Sequence, residues 1–263
     1  MTLRYVFVGG LHRSGTSLVA RWLASHPAVA GFRDTGVWED EGQHLQDALL
    51  PARLLGGPGR FARHPGALGE LLPEDSVVPL RERLLRTWAP LWDDRPVRVA
   101  KSPPNLLRGP LLQQLFPGSV LVVVRRHPIA VALATRRMGR RFAGRDLVEL
   151  VEHWAIAHEL FEGQRPRLGA LVEFEHADLV RRPEAIAPMF ESLEIDPVPP
   201  PERLVDTDAI YRREWGDIMR SRREGPALRQ ALEGLSDRVL RLGYRLDGFD
   251  RDSGPLRGAF STR

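Results

Sequence analysis

The sequence predicts an α/β protein with three layers (α/β/α), in which helices cover both faces of a central parallel sheet. Short segments rich in β-branched residues alternate with segments whose apolar residues recur at helical spacing. Residues 120–124 are all apolar, which is typical of a central parallel strand that is buried on both faces. The first predicted strand leads through a glycine turn into a helix, which is the start of a βα unit.

The first strand is predicted at residues 3–8, where β-branched and aromatic side chains precede two glycines. A helix is predicted at 14–25 from apolar residues at helical spacing, and His26-Pro27 ends it. The remaining predicted elements are strands at 97–100, 120–124 and 168–174 and helices at 105–116, 129–138 and 147–161.

Two irregular segments complete the prediction. Residues 54–69 hold several glycines and prolines, so we expect a surface loop near the open edge of a site. A proline-rich spacer at 197–201 precedes a helical C-terminal segment. The length and the single apolar core predict one domain over residues 1–263.

Composition narrows the chemistry. The chain has no cysteine, which excludes disulfides and thiolate chemistry, and no His, Asp or Glu spacing predicts a metal site. No apolar run approaches the roughly 20 residues that cross a membrane, and Met1 lies close to the first strand, so we expect a cytoplasmic protein without a signal peptide. The net charge of +4 lacks the basic and aromatic clustering of a nucleic-acid binder. A polyanionic small molecule is the expected partner.

The basic residues are unevenly distributed between the two types. Of the 38 Lys and Arg residues, only Lys101 is a lysine. If arginine occupies nearly every replaceable position, the remaining lysine is a candidate for a role that requires a compact ammonium group. Survival of this lysine by chance is the alternative.

The turn after the first strand has the features of an anion-binding loop. It joins a strand to a helix N-terminus, where backbone N–H groups converge and favour a phosphate. Gly10 and Gly15 have the spacing of the G-x-x-x-x-G-K-[ST] motif, but Thr16 stands in place of its lysine. ATP or GTP hydrolysis is therefore disfavoured, and Arg13 is the nearby cation.

This segment resembles the 5′-phosphosulfate-binding motif of sulfotransferases, especially the branch that contains tyrosylprotein sulfotransferases and many bacterial enzymes. The match combines a strand that ends in Gly9-Gly10, the Arg-Ser-Gly-Thr-Ser core and a helix that closes on His26-Pro27. The resemblance implies a P-loop-like sulfotransferase fold and the donor 3′-phosphoadenosine 5′-phosphosulfate (PAPS). The residues that it implies for the donor are His12, Arg13, Ser14, Gly15, Thr16 and Ser17.

A donor with a 3′-phosphate needs a second anion site, and the end of a later parallel strand would provide it. The family's 3′-phosphate motif aligns on Pro128, which makes Arg126 the motif arginine, able to bind a phosphate with a bidentate fork. The motif serine falls on Ala134, with Thr135 as the adjacent hydroxyl. Arg222 is a further candidate from the C-terminal side. Ordinary pairing of these arginines with carboxylates or solvent is the alternative.

Sulfuryl transfer requires cations at the migrating group and a base for the incoming hydroxyl. Arg13 and Lys101 are the predicted cations, and the sequence that begins at Lys101 resembles a Lys-[ST]-Pro stretch of some sulfotransferases. Asp34 aligns with the catalytic glutamate of the tyrosylprotein branch, and Glu39 is a second catalytic candidate that could raise the pKa of Asp34. Other candidates for the base are Glu41, His12 and His44.

The resulting hypothesis is a PAPS-dependent sulfotransferase acting by in-line transfer on the hydroxyl of a small molecule, for which a carbohydrate or specialised metabolite is a guess. One alternative is an ATP-dependent P-loop kinase, which the missing lysine after Gly15 disfavours. The other is a non-catalytic nucleotide-sensing protein, which Ala134 at the serine position favours.

Overall fold

The computed structural model describes residues 3–249; Met1, Thr2 and the last 14 residues of the predicted domain lie outside this range. Its sheet has five parallel strands in the order β2-β3-β1-β4-β5. The strands are β1 (Arg4–Gly10), β2 (Val29–Gly31), β3 (Val97–Lys101), β4 (Val120–Arg125) and β5 (Leu171–Glu175). Because all strands run the same way, their carboxyl ends lie at one edge, where binding residues gather in such sheets.

Ten α-helices surround the sheet within the described range. They are α1 (Thr16–Ala24), α2 (Glu74–Trp88), α3 (Gly109–Leu115), α4 (Pro128–Arg136), α5 (Arg140–Ala143), α6 (Leu147–Gln164), α7 (His176–Arg181), α8 (Ala187–Ser192), α9 (Asp208–Arg220) and α10 (Gly225–Arg241).

Alternating side chains of the central strands divide the core between two faces of the sheet. Phe7 of β1 and Val123 of β4 pack with α2, α3, α4, α6, α9 and α10 on one face. Val8 and Val122 pack with α1, α7 and α8 on the other. The structure therefore confirms the predicted α/β/α layers around a parallel sheet.

The sequence missed the short helices α5, α7 and α8 as well as β2 and α2, and it placed one element imperfectly. β2 has only three residues and α2 contains Pro79, so neither has a strong periodic pattern. The predicted helix at 105–116 is a 3-10 turn, Pro103–Leu107, followed by α3. A Cβ on Gly9 would lie 2.4 Å from the backbone N of Leu106, so this glycine lets the turn approach β1 closely.

The prediction that residues 54–69 form a surface loop was wrong, because several side chains of this segment are buried. The segment forms short 3-10 turns, and Leu55, Phe61 and Ala67 are buried in the core. The backbone N–H of Ala62 donates to His153 Nε2 of α6 at 3.2 Å. Glycines and prolines end regular elements, but the apolar residues between them still pack under the sheet edge.

Candidate active site

The turn between β1 and α1, residues 10–15, has a conformation in which its backbone N–H groups can converge on one anion. Arg13 has a φ of 71° and Gly15 a φ of 102°, both in the left-handed region. Gly15 is required for a second reason, since an added Cβ would lie 2.6 Å from Cδ2 of His176. The first N–H groups of α1 have no partner within the helix and are free for an anion.

Polar groups of this turn are left without partners in the protein. Ser14 Oγ and His12 Nδ1 are buried and make no hydrogen bond to any described residue. Arg13 is exposed beside them. A buried hydroxyl without a partner costs free energy, so this cluster suits a bound anion that accepts its hydrogen bond. The turn therefore fits the phosphosulfate end of the predicted donor.

His12 lies between the turn and the protein interior. Its ring contacts Phe61 edge-on, with centroids 5.6 Å apart. Burial, together with the charges of Lys101, His44 and Arg13, lowers the pKa of His12 to about 3. The imidazole is therefore neutral at physiological pH.

The predicted Lys101 lies at the carboxyl end of β3 and forms a buried ion pair. Its Nζ donates to Glu41 Oε1 at 3.1 Å, and each residue is only 4% exposed. Burial lowers the pKa of Lys101, while the negative charges of Glu41 and Glu39 oppose that change. Such a pair holds both charges in a fixed, poorly hydrated place, where they act strongly on a reacting group.

The backbone next to Glu41 is anchored on β3 and α2. The N–H of Gln43 donates to Ser102 Oγ at 2.8 Å, and Trp88 Nε1 donates to the carbonyl of Gly42 at 3.1 Å. The Gln43 side-chain amide donates to the second oxygen of Glu41. Glu41 is thus positioned by its neighbours as well as by Lys101.

The other predicted carboxylates are exposed. Asp34 and Glu39 both have a φ of 53° and lie in the loop between β2 and Glu41. Asp40 stabilises this loop, since its Oδ1 accepts from Thr35 N at 2.8 Å and from Thr35 Oγ1 at 2.6 Å. Asp34 and Glu39 line a cavity together with Lys101.

Arg126 extends from the end of β4 into the same region, but its guanidinium N–H groups already donate hydrogen bonds to other residues of the protein. Its Nε and Nη2 donate to Asp208 Oδ1 at 2.8 and 2.6 Å, and Nη2 also donates to Thr207 Oγ1 at 2.7 Å. Its Nη1 donates to the carbonyl of Arg13 at 2.8 Å, which braces the turn. Burial opposes ionisation of Asp208, yet His176 and Arg126 lower its pKa to about 2, so it is charged at neutral pH.

The structure does not bring the other predicted 3′-phosphate residues to Arg126. Ala134 is buried in α4, and the Thr135 hydroxyl donates to the Val131 carbonyl at 2.7 Å. Arg222 is exposed beyond the C-terminal end of α9. The 13 residues of α9 span about 20 Å, and Asp208 is at their other end.

Three cavities adjoin at this edge of the sheet. The loop cavity, about 230 Å³, is lined by His12, Arg13, Gly15, Thr16, Ser17, Leu18, Arg21, Trp38, Glu39, Glu41, Pro103, Arg126 and Met138. The strand-side cavity, about 500 Å³, includes Ser17, Arg21, Asp34, Glu39 and Lys101. The arginine cavity, about 500 Å³, includes His12, Trp38, Glu41, His44, Arg53, Met138, Arg140, Arg141 and Phe142. Glu41 borders the loop cavity and the arginine cavity.

Two features are absent from residues 3–249. No three His, Asp or Glu side chains in this range are grouped so that they could hold a metal ion. No helix in the same range is long and apolar enough to cross a membrane.

Fold and site together define an α/β protein with an anion-binding turn beside a buried lysine–glutamate pair, suited to transferring an anionic group. The chain belongs to the sulfotransferase family, whose model matches residues 5–196. This match includes β1 to β5 and the whole of the anion-binding turn. It confirms the family, and with it sulfotransfer as the activity; the tyrosylprotein branch stays a prediction. No curated protein sequence matches the chain.

Several solved structures are similar to this chain at low sequence identity. The sulfotransferase domain of the Synechococcus PCC 7002 olefin synthase is 19% identical, with 79% of this chain and 80% of that one covered and a TM-score of 0.44. Sulfotransferase STF1 of Mycobacterium tuberculosis H37Rv is 16% identical, with 74% and 68% covered and a TM-score of 0.45. Sulfotransferase STF9 of Mycobacterium avium is 15% identical, with 90% and 77% covered and a TM-score of 0.48.

Two features of the site were not assigned from the sequence. Glu41 was one of several candidate bases, and its burial against Lys101 could not be inferred from the acidic run in which it lies. Asp208 carries no local signal of its role, because it lies 82 positions from Arg126 along the chain.

Proposed function

We propose that this chain transfers the sulfuryl group of PAPS to a hydroxyl group of a small molecule, with Glu41 as the general base. The observation that carries the proposal is the buried Glu41–Lys101 pair beside a turn whose Ser14 hydroxyl lacks a partner. The sulfotransferase family supports the reaction. A carbohydrate or a specialised metabolite remains the guess for the acceptor.

In this mechanism the acceptor oxygen forms a bond to sulfur while the bond between sulfur and the bridging phosphate oxygen breaks. The hydroxyl proton passes to Glu41, and adenosine 3′,5′-bisphosphate leaves. Lys101 and Arg13 would stabilise the charge that develops on the leaving phosphate and on the sulfuryl oxygens. Glu41 suits the base because it is buried and held by Lys101 and Gln43 where the loop cavity meets the arginine cavity, whereas Asp34 and Glu39 are exposed.

Calorimetric titration with adenosine 3′,5′-bisphosphate and with ATP-Mg tests the donor. We expect binding of the bisphosphate and transfer of label from PAPS to hydroxyl compounds. Binding of ATP-Mg alone would contradict the proposal and favour the kinase.

A nucleotide-sensing protein is the second candidate, and the engagement of Arg126 by Asp208 favours it. Tight bisphosphate binding without transfer to any hydroxyl in a broad panel would support the sensor. Measuring binding and transfer on the same preparation separates the two functions.

A further inference from the structure

The arginine cavity is placed to receive the acceptor. It shares His12, Trp38, Glu41 and Met138 with the loop cavity, so the Glu41 carboxylate lies where the two spaces meet. A donor in the loop cavity and an acceptor in the arginine cavity would both reach this carboxylate. The volume, about 500 Å³, suits a small molecule.

This cavity carries a positive charge that the protein does not neutralise. Arg53, Arg140 and Arg141 line it, and none of them forms an ion pair with a residue in the described part of the chain. The nearby Arg137, by contrast, pairs with Glu214 at 2.7 Å. The cavity's one carboxylate, Glu41, is already neutralised by Lys101.

The protonation of His44 is consistent with this positive potential. Burial lowers the pKa of His44, the charge of Glu41 raises it, and the charges of Arg53 and Lys101 lower it, with a lower pKa as the net result. The histidine is therefore neutral at neutral pH and adds no charge of its own. The three arginines decide the sign of the potential in the cavity.

The remaining wall offers apolar and aromatic surface. Phe142 is buried, and the guanidinium groups of Arg141 and Arg145 already contact its ring, 4.6 and 4.9 Å from the centroid. Trp38 is 64% exposed and borders both the loop cavity and the arginine cavity. An exposed indole at the entrance of a cavity suits stacking with a flat ligand.

We infer that the acceptor is an anionic aryl compound. It is a small molecule that carries a carboxylate, phosphate or sulfate group as well as the hydroxyl that is sulfated. The inference rests on the proposed function, because it assigns the acceptor to the cavity beyond Glu41. The anionic group would bind Arg140, Arg141 or Arg53, the aryl ring would contact Trp38, and the hydroxyl would face Glu41. Arginine forks are well suited to carboxylate and phosphate groups.

Two matched pairs of acceptors test this inference with labelled PAPS. One pair is para-hydroxyphenylacetate and the neutral para-hydroxyphenethyl alcohol, and the other is phenyl β-glucuronide and phenyl β-glucoside. We expect kcat/KM to be about tenfold higher for the anionic member of at least one pair, because one charge-assisted hydrogen bond contributes about that factor. R140A/R141A and R53A should reduce this preference by raising KM for the anionic member alone.

The control is R86A/R167A, which removes two exposed arginines that line none of the three cavities. It should leave the preference unchanged. Equal kcat/KM within both pairs, or transfer to neither member of either pair by an enzyme that sulfates other hydroxyls, would overturn the inference.

Bisphosphate affinity distinguishes the other outcomes. If R140A/R141A weakens bisphosphate binding and acceptor KM is unchanged, these arginines bind the donor and the inference is wrong. If the native protein binds no bisphosphate and transfers no label, the proposed function itself fails.

Discussion

The two halves of the expected donor site differ in how far the protein satisfies their polar groups. On the side of the turn, Ser14 Oγ has no partner and Arg13 is exposed, so the groups are available to an anion. On the side of β4, Arg126 already binds Asp208, Thr207 and the Arg13 carbonyl. The polar groups of the turn are therefore available to a ligand, whereas the N–H groups of Arg126 are already hydrogen-bonded within the protein.

This difference shows that a motif arginine can hold a site together as well as bind a ligand. Arg126 fixes the Arg13 carbonyl, and Arg13 has a left-handed backbone that needs support. A 3′-phosphate at Arg126 would meet the ionised Asp208 carboxylate. The 5′ side should therefore supply most of the catalytic effect, and the 3′ side should adjust affinity.

The largest effect is expected on the side of the turn, from Lys101→Met. Loss of the ammonium removes a charge that would stabilise the transition state, so kcat should fall about 10³-fold. It also leaves Glu41 buried without its partner, which should cost about 3 kcal/mol of unfolding free energy. Rates with labelled PAPS and urea denaturation measure the two effects.

The double variant Lys101→Met with Glu41→Gln is the control for that result. It removes both charges, so it should recover most of the unfolding free energy while the rate stays low. A single variant with a near-normal rate would exclude Lys101 from the mechanism.

The next effect separates the two candidate bases. Glu41→Gln keeps the size of the side chain but cannot take the acceptor proton, so kcat should fall about 10²-fold. Asp34→Asn, at an exposed position, is the matched comparison, and its rate should change less than about threefold. Bisphosphate affinity, measured by calorimetry, should stay similar in both variants. The opposite ranking of rates would return the role of base to Asp34.

A smaller effect is expected on the side of Arg126. Asp208→Asn removes a negative charge beside the guanidinium, so the ratio of affinities for adenosine 3′,5′-bisphosphate and adenosine 5′-phosphate should rise about tenfold. Titration of both nucleotides gives this ratio. A fall in the ratio would mean that Asp208 holds Arg126 in its binding geometry, and an unchanged ratio would place the 3′-phosphate elsewhere.

The last prediction concerns stability in acid, which depends on a different pH range on each side. The folded pKa of Asp208, about 2, is below the usual 3.8, so its contribution is present above pH 4 and is lost as pH falls towards 2. That contribution is about 2 kcal/mol. The folded pKa of His12, about 3, is below 6.5, so stability is lost as pH falls from 6.5 towards 3.

Urea denaturation as a function of pH checks both signs. Asp208→Asn should reduce the slope between pH 4 and 2 and leave the range above pH 5 unchanged. His12→Gln should reduce the slope above pH 4 without removing it, because burial also lowers the pKa values of His127, His153 and His158. A flat native curve from pH 7 to 4 would contradict the buried, neutral state of His12.

Local patterns predicted much of the fold and the turn between β1 and α1. β1, β4 and the anion-binding turn are contiguous in sequence, so apolar runs, glycines and the helix pattern identify them. The contacts of Glu41 with Lys101 and of Asp208 with Arg126 join distant segments. No local pattern encodes them, because they depend on how loops cross the sheet edge. Residues 54–69 show the same limit, since their burial comes from packing on α6.

The position of Lys101 also offers a chemical handle. Because it is the chain's one lysine, an amine-directed reagent finds almost no background on this protein. Apart from the terminal amine, any stable acylation would report on the end of β3 alone. A single mass shift, blocked by a bound nucleotide, would then serve as an occupancy assay that needs no knowledge of the acceptor.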